Sequence, residues 1–148
     1  DSTAADRRDA VSALAAQTGN EWVLMQGMTP TGTTVMAAAR RPLRWIDYPV
    51  FDLHTEVRLA YNDVEANGLP APGSLKLLRD TETRISAALG AGGILVAHES
   101  SAGTRVLHYY SDSADPHGRT AIEAAASAAA GSVRHDRDPG WTQVGQFS

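Results

Sequence analysis

The chain reads as an α+β domain of order strand–helix–strand–strand–helix–strand between Val50 and Asp138. Three observations predict it. The stretch Val50–Tyr61 alternates, with Phe51, Leu53, Val57, Leu59 and Tyr61 on one face and Asp52, His54, Glu56 and Arg58 on the other. That period of two is the mark of a half-buried strand. Two later stretches carry helical spacing with capping residues, and a tight turn joins the two apolar runs between them.

From the N-terminus, Ser2–Thr18 reads as a helix closed by Gly19-Asn20, with a thin apolar stripe of Ala4, Val11, Leu14 and Ala15. It is expected to be an appendage, residues 1–19, to one domain spanning 20–148. Glu21–Arg40 reads as a β-hairpin, Trp22–Met25 against Thr33–Ala37, with turn residues from Met28 to Gly32. A helix from Thr33 competes, because Met36–Ala39 are good helix formers. Gly27–Thr34 also carries the glycine spacing of a phosphate loop, but Thr33 stands where that loop needs its lysine. Arg41–Pro49 is a connector whose two prolines exclude regular structure. Its Trp45, Ile46 and Tyr48 are expected to fold over the edge of the core.

Beyond the first core strand, Asn62–Gly73 is a loop, and Ser74 is expected to cap a helix Leu75–Leu89 that Gly90 ends. Leu75, Leu78, Ile85 and Leu89 share a face. Ile94–His98 and Thr104–Tyr110 flank the turn Ser100–Gly103. Asp115-Pro116 opens an alanine-rich second helix, with Asp as cap and Pro at its first position. Gly131 ends it, and Ser132–Asp136 is the last strand. In the tail, Val144 and Phe147 are apolar anchors.

Two right-handed crossovers place both helices on one face of a four-stranded antiparallel sheet, with the strands at Val50 and Thr104 central. This is the ferredoxin-like βαββαβ plan, with the hairpin and the short N-terminal helix added.

The chain has 148 residues, 43% hydrophobic and 20% charged, with a net charge of −4. These values are those of a soluble globular domain large enough for its own core. Lys76 is the only lysine, and no basic run offers a nucleic-acid face. No apolar run approaches the roughly 20 residues needed to span a bilayer. No cofactor motif is present, and cysteine is absent, which excludes thiolate chemistry and disulfides. A cytoplasmic location is expected, with a leader removed before Asp1 as the alternative.

Four stretches together carry a resemblance: Glu21-Trp22, Ile46-Asp-Tyr-Pro49, Asn67-Gly-Leu-Pro70 and Asp138-Pro-Gly-Trp141-Thr-Gln143. In order and spacing, from about Asn20 to Phe147, the chain resembles a bacterial domain family of unknown function, number six hundred and ninety-five. It departs where that family has a Trp-x-x-Tyr run, since Val144 takes the second aromatic's place. The resemblance implies a compact α+β domain with no assigned catalytic residue. Some relatives are similar to a ribonuclease E inhibitor, a small acidic protein that regulates by binding.

The sheet face away from the helices is where function is expected. It receives Asp52, His54, Glu56 and Arg58 from the first strand. From the next two it receives either Leu95, Ala97, Glu99, Val106, His108 and Tyr110 or Ile94, Val96, His98, Arg105, Leu107 and Tyr109. Either set is too apolar to lie wholly in water. The N-terminal hairpin folding over it, a second copy pairing through it as a homodimer, or a bound partner are the three occupants. His54 with Asp52 or Glu56, plus His98 or His108, could supply three ligands to a divalent metal. Ion pairing along an alternating strand is the plainer account. Exposed Tyr109 or Tyr110 could stack on RNA, against the acidic balance. His117 and His135 read as surface residues, and Ser100-Ser101 lacks the strained elbow of a nucleophile. The preferred reading is a non-enzymatic regulatory or interaction module that binds a protein partner. Its candidate contact residues are Trp45, Tyr48, His54, Arg58 and Trp141. The alternative is a metal-dependent or small-ligand enzyme built on His54 and its neighbouring carboxylates.

Overall fold

The computed structural model describes residues 21–41 and 50–147. The N-terminal helix expected at Ser2–Thr18 and the connector carrying Trp45 and Tyr48 lie outside these residues. Six strands form one antiparallel sheet: β1 (Glu21–Met28), β2 (Thr34–Arg41), β3 (Leu53–Ala60), β4 (Gly93–Ser101), β5 (Thr104–Ser111) and β6 (Ser132–Arg137). Their order across the sheet is β1-β2-β4-β5-β3-β6. Two helices, α1 (Pro72–Leu89) and α2 (Pro116–Ala128), interrupt the strands. Among the described residues no helix is long and apolar enough to cross a membrane.

Both helices bury their apolar stripes in one cluster with Val57, Leu59, Leu107 and Tyr109. Alpha-1 begins at Pro72, not at Leu75, and its N-cap Ala71 makes no side-chain hydrogen bond. Ser74 is therefore not the cap. It lies within the first turn of the helix, buried, and its hydroxyl accepts from the Asp63 N–H at 3.1 Å. Proline supplies the start instead, since its fixed φ suits the first helical position and its missing N–H would be unpaired there anyway. The buried stripe of α1 is accordingly Ser74, Leu78, Thr81, Ile85 and Leu89, with Leu75 only half-buried. Alpha-2 starts as expected, the Asp115 carboxylate accepting from the His117 N–H at 3.0 Å. It ends at Ala128, before Gly131. Gly131 passes so close to β3 that a Cβ there would stand 2.6 Å from Leu59 Cδ2 and 2.8 Å from the Arg58 carbonyl oxygen.

Strand β1 pairs with β2 along its whole length, whereas β2 pairs with β4 only over Met36–Ala39. The segment Gly27–Thr34 closes the β1–β2 turn and leads into a strand, so no helix N-terminus is aimed at its glycines. The β1–β2 pair extends the sheet sideways from β4 and does not fold over its face. At the other joint, Ala102 (φ 47°) and Gly103 (φ 84°) form the two-residue β4–β5 turn. Positive φ at both central positions matches the twist of paired strands. Gly68 (φ 85°) leans on this turn. Its carbonyl accepts from the Tyr61 hydroxyl at 2.7 Å and from the Gly103 N–H at 3.2 Å.

A β-bulge between Leu95 and Ala97 decides the side-chain parity of β4. Ile94 lies opposite Tyr110 and Leu95 opposite Tyr109, but beyond the bulge Ala97 lies opposite His108 and His98 opposite Leu107. Neither alternating set expected for this strand pair is therefore correct as a whole. The face away from the helices takes Ile94, Val96 and Ala97 with His108 and Tyr110, while His98 and Leu107 turn to the helix side.

That second face is not open. After β6, Asp138–Trp141 turns the chain back and a 3-10 helix, Thr142–Phe147, lies over the sheet. Trp141, Val144 and Phe147 pack with Ala37, Ala39, Val96, Ala97 and Tyr110. Phe51 joins this second cluster, because β3 begins at Leu53 and the alternation does not reach back to residue 51.

Candidate functional site

Beneath the C-terminal segment, β3 and β5 bring two histidines together. His54 Nε2 and His108 Nδ1 share a hydrogen bond at 2.9 Å, and the rings stack with centroids 5.1 Å apart. Both are buried, at 4% exposure each. Phe147 covers His108 at 5.5 Å, and Tyr110 flanks His54 at 5.2 Å. Burial, followed by the neighbouring His108, pushes the His54 imidazole down to about 4. His54 is therefore neutral near pH 7, and in the shared bond one ring donates and the other accepts. Among the described residues His108 Nε2 has no hydrogen-bond partner, and Glu99 Oε1 stands 3.8 Å away.

A second network closes the segment. The Tyr110 hydroxyl donates to Asp138 Oδ2 at 2.7 Å, and the Gln143 N–H donates to the same oxygen at 2.8 Å. Asp138 Oδ1 accepts from the Thr142 N–H and hydroxyl at 2.9 and 2.7 Å. Asp138 thus caps the last helical turn and ties it to β5. Burial raises its pKa, but the donors from Gln143, Tyr110 and Thr142 together outweigh this and hold it below the usual value. Burial and the Asp138 bond push the Tyr110 hydroxyl strongly upward. Trp141 stacks on Tyr110 at 4.4 Å and donates its indole N–H to the Phe51 carbonyl at 2.8 Å.

These contacts redistribute the residues picked from sequence. Trp141 is buried at 4% exposure and serves as packing. His54 is sealed from solvent. Of the candidate contact residues, only Arg58 lies exposed, beside Glu56 at 3.3 Å; Trp45 and Tyr48 fall outside the described residues. The metal set is not assembled. Asp52 accepts from the Ser113 N–H and hydroxyl at 2.9 and 2.7 Å and from Arg137 at 2.9 Å. The Ser113 bonds hold its carboxyl below the usual range. Glu56 turns to Arg58, and His98 is on the other side of the sheet from His54. Alternate residues of one strand stand about 7 Å apart, and here each meets a different neighbour. Among the described residues no three His, Asp or Glu side chains are grouped to hold a metal. Tyr109 and Tyr110 are fully buried, so neither can stack on a base.

His135 is not an isolated surface residue. Its Nδ1 meets the Thr55 hydroxyl at 2.8 Å and its Nε2 meets Glu123 Oε1 at 2.9 Å. Hydroxyl, imidazole and carboxylate in line have the order of a nucleophile triad. Thr55 is fully buried, however, so no carbonyl can reach it. The chain of bonds fastens α2 to β3 and β6.

The site and fold define an α+β domain whose polar clusters hold its own layers together. No protein-family model matches the chain, and no curated protein or solved structure matches it either.

Proposed function

We propose that this chain is a non-enzymatic interaction module that binds a protein partner through the β1 edge of its sheet. The observation that carries the proposal is the difference between the two end strands. Strand β6 is short and charged, with Arg134, Asp136 and Arg137, the composition that keeps an edge from pairing with foreign strands. Strand β1 is longer, and Trp22–Met28 carries no charge. Trp22, Val23 and Leu24 are only half-buried, and Met28 is 71% exposed. An extended end strand that is uncharged from Trp22 to Met28 suits a partner that adds a strand. The contact surface thus moves from the sheet face, which residues 141–147 occupy, to its edge.

Two further points support this reading. The order β4-β5-β3-β6, with α1 and α2 in one layer, agrees with the ferredoxin-like plan, and β1–β2 then counts as an added hairpin. The resemblance to the domain family above favours a regulator that acts by binding. Two of its stretches have structural roles here, Asp138–Gln143 in holding the C-terminal segment and Asn67–Pro70 in bracing the β4–β5 turn.

The test is affinity capture from host lysate with the wild type, Val23→Lys and Arg134→Ala, alongside light scattering for self-association. The expected result is a partner, or a second copy, held by wild type and Arg134→Ala and lost by a folded Val23→Lys. Capture unaffected by Val23→Lys would rule out the β1 edge. A monomer that captures nothing would rule out the interaction reading.

A further inference from the structure

A groove opens on the helical side of the molecule, away from β1. Its origin lies in the sequence of α1. The buried stripe of that helix carries Ser74 and Thr81 where longer apolar side chains would fill the layer, and α2 stops at Ala128. Short side chains on both helices leave a cavity of about 570 Å³ over Leu59 and Leu78, between α1 and Ala128–Ala129. This is within the size range of ligand sites, roughly 300–1,000 Å³. Leu77 stands at its lip, 68% exposed.

The charges at the groove are arranged along α1. Lys76 and Asp80 neutralise each other at 3.0 Å. Asp63 and Arg84 also line the cavity, and neither side chain has a partner among the described residues. Asp63 Oδ2 sits at the first turn of the helix, 3.0 Å from where a Cβ on Gly73 would stand. Gly73 and Arg84 are eleven residues apart in α1, about 16 Å along the axis at 1.5 Å per residue. Helical side chains lean toward the N-terminus, which brings the Arg84 guanidinium back along the groove. An uncommitted carboxylate and an uncommitted guanidinium therefore stand on the order of 10–14 Å apart. A single amino acid is too short to bridge them. Three or four extended residues, at about 3.3–3.6 Å each, fit.

We propose that the α1–α2 groove binds short linear peptides of three or four small residues, the free ammonium at Asp63 and the free carboxylate at Arg84. A cavity of about 570 Å³ restricts three or four residues to small side chains. This site is independent of β1, so either proposal stands if the other fails.

Trialanine and tetraalanine are the probes, followed by amide chemical-shift titration and calorimetry. The expected dissociation constant is on the order of 1 mM, with shifts concentrated at Leu77, Thr81 and Ala128. Amidating the peptide's C-terminus should weaken binding roughly two- to fivefold in wild type, as for one exposed ion pair, and make no difference in Arg84→Gln. Acetylating its N-terminus should behave likewise, with the effect absent in Asp63→Asn. Free alanine should bind more weakly than either peptide. Val23→Lys should bind the peptides as wild type does. Lack of saturable binding by either peptide at roughly 20 mM, or equal binding of the capped forms to wild type, would overturn the proposal. Asp63 and Arg84 are exposed, so both variants should fold.

Discussion

Tyr110 and Asp138 are joined by a 2.7 Å hydrogen bond between the middle of the sheet and the turn that starts the C-terminal segment. Tyr110→Phe leaves the carboxylate its Thr142 and Gln143 donors but removes the tie to β5. The expected loss is about 1.5–3 kcal/mol, the range for a bond to a charged group. Asp138→Ala removes the cap as well and should cost more, about 3 kcal/mol. Urea unfolding measures both. Partial proteolysis should find residues 141–147 more exposed in each variant.

Stability should fall as the solution is acidified below neutrality. His54 is held near 4 in the fold against 6.5 for a free imidazole. The unfolded chain therefore takes up a proton first as pH drops. The stabilisation from the neutral His54 is complete above pH 6.5 and is lost progressively down to about pH 4. A shift of this size corresponds to something on the order of 3 kcal/mol. His98, lowered by burial to about 3, acts in the same direction. Unfolding free energies at stepped pH should show this slope, and His54→Gln should flatten it.

Arg105 and Glu82 form a nearly buried ion pair at 3.1 Å, and Arg105 Nε also donates to the Ser100 hydroxyl at 2.8 Å. Burial raises the Glu82 carboxyl even beside this guanidinium. Arg105→Met strands the carboxylate and should cost about 3–5 kcal/mol. The double variant Arg105→Met with Glu82→Leu should cost less than Arg105→Met alone, because no charge is left unpaired. A double-mutant cycle in urea checks this, and simple additivity would count against it.

Gly131→Ala should destabilise by about 1–3 kcal/mol, the usual range for overpacking. The added methyl would meet both Leu59 and the β3 backbone, and the backbone cannot move aside as a flexible side chain could. A Leu59→Ala background should relieve part of the loss.

Much of the architecture could be read from residues with strong local preferences. The alternation from Leu53 to Tyr61 reports burial under the helices, and Asp115-Pro116 specifies a helix start by its own chemistry. The C-terminal cover was harder to see because its apolar residues are few and widely spaced. Trp141, Val144 and Phe147 do recur every three residues, the repeat of a 3-10 helix, and that signal could have exposed it. Ser74 misled because a hydroxyl before an apolar run suits either a cap or a buried bond to a neighbouring loop. Only the position of Asp63 decides between them. The His54–His108 pair joins residues 54 positions apart, and the side on which Ile94 and Leu95 fall depends on a bulge that Ile94–Ala97, apolar throughout, does not announce.

The extra residue in β4 also changes how the gene can tolerate error. Losing the codon for Val96 would leave Leu95 opposite Tyr109 and Ala97 opposite His108 in an unbroken ladder, so every position from Ala97 to Ser101 would keep its side of the sheet. Substitutions at the same place alter one side chain each. Sequence drift should therefore tolerate a one-residue gap at Val96 as well as a change of letter there, and surveys of natural variants should find both.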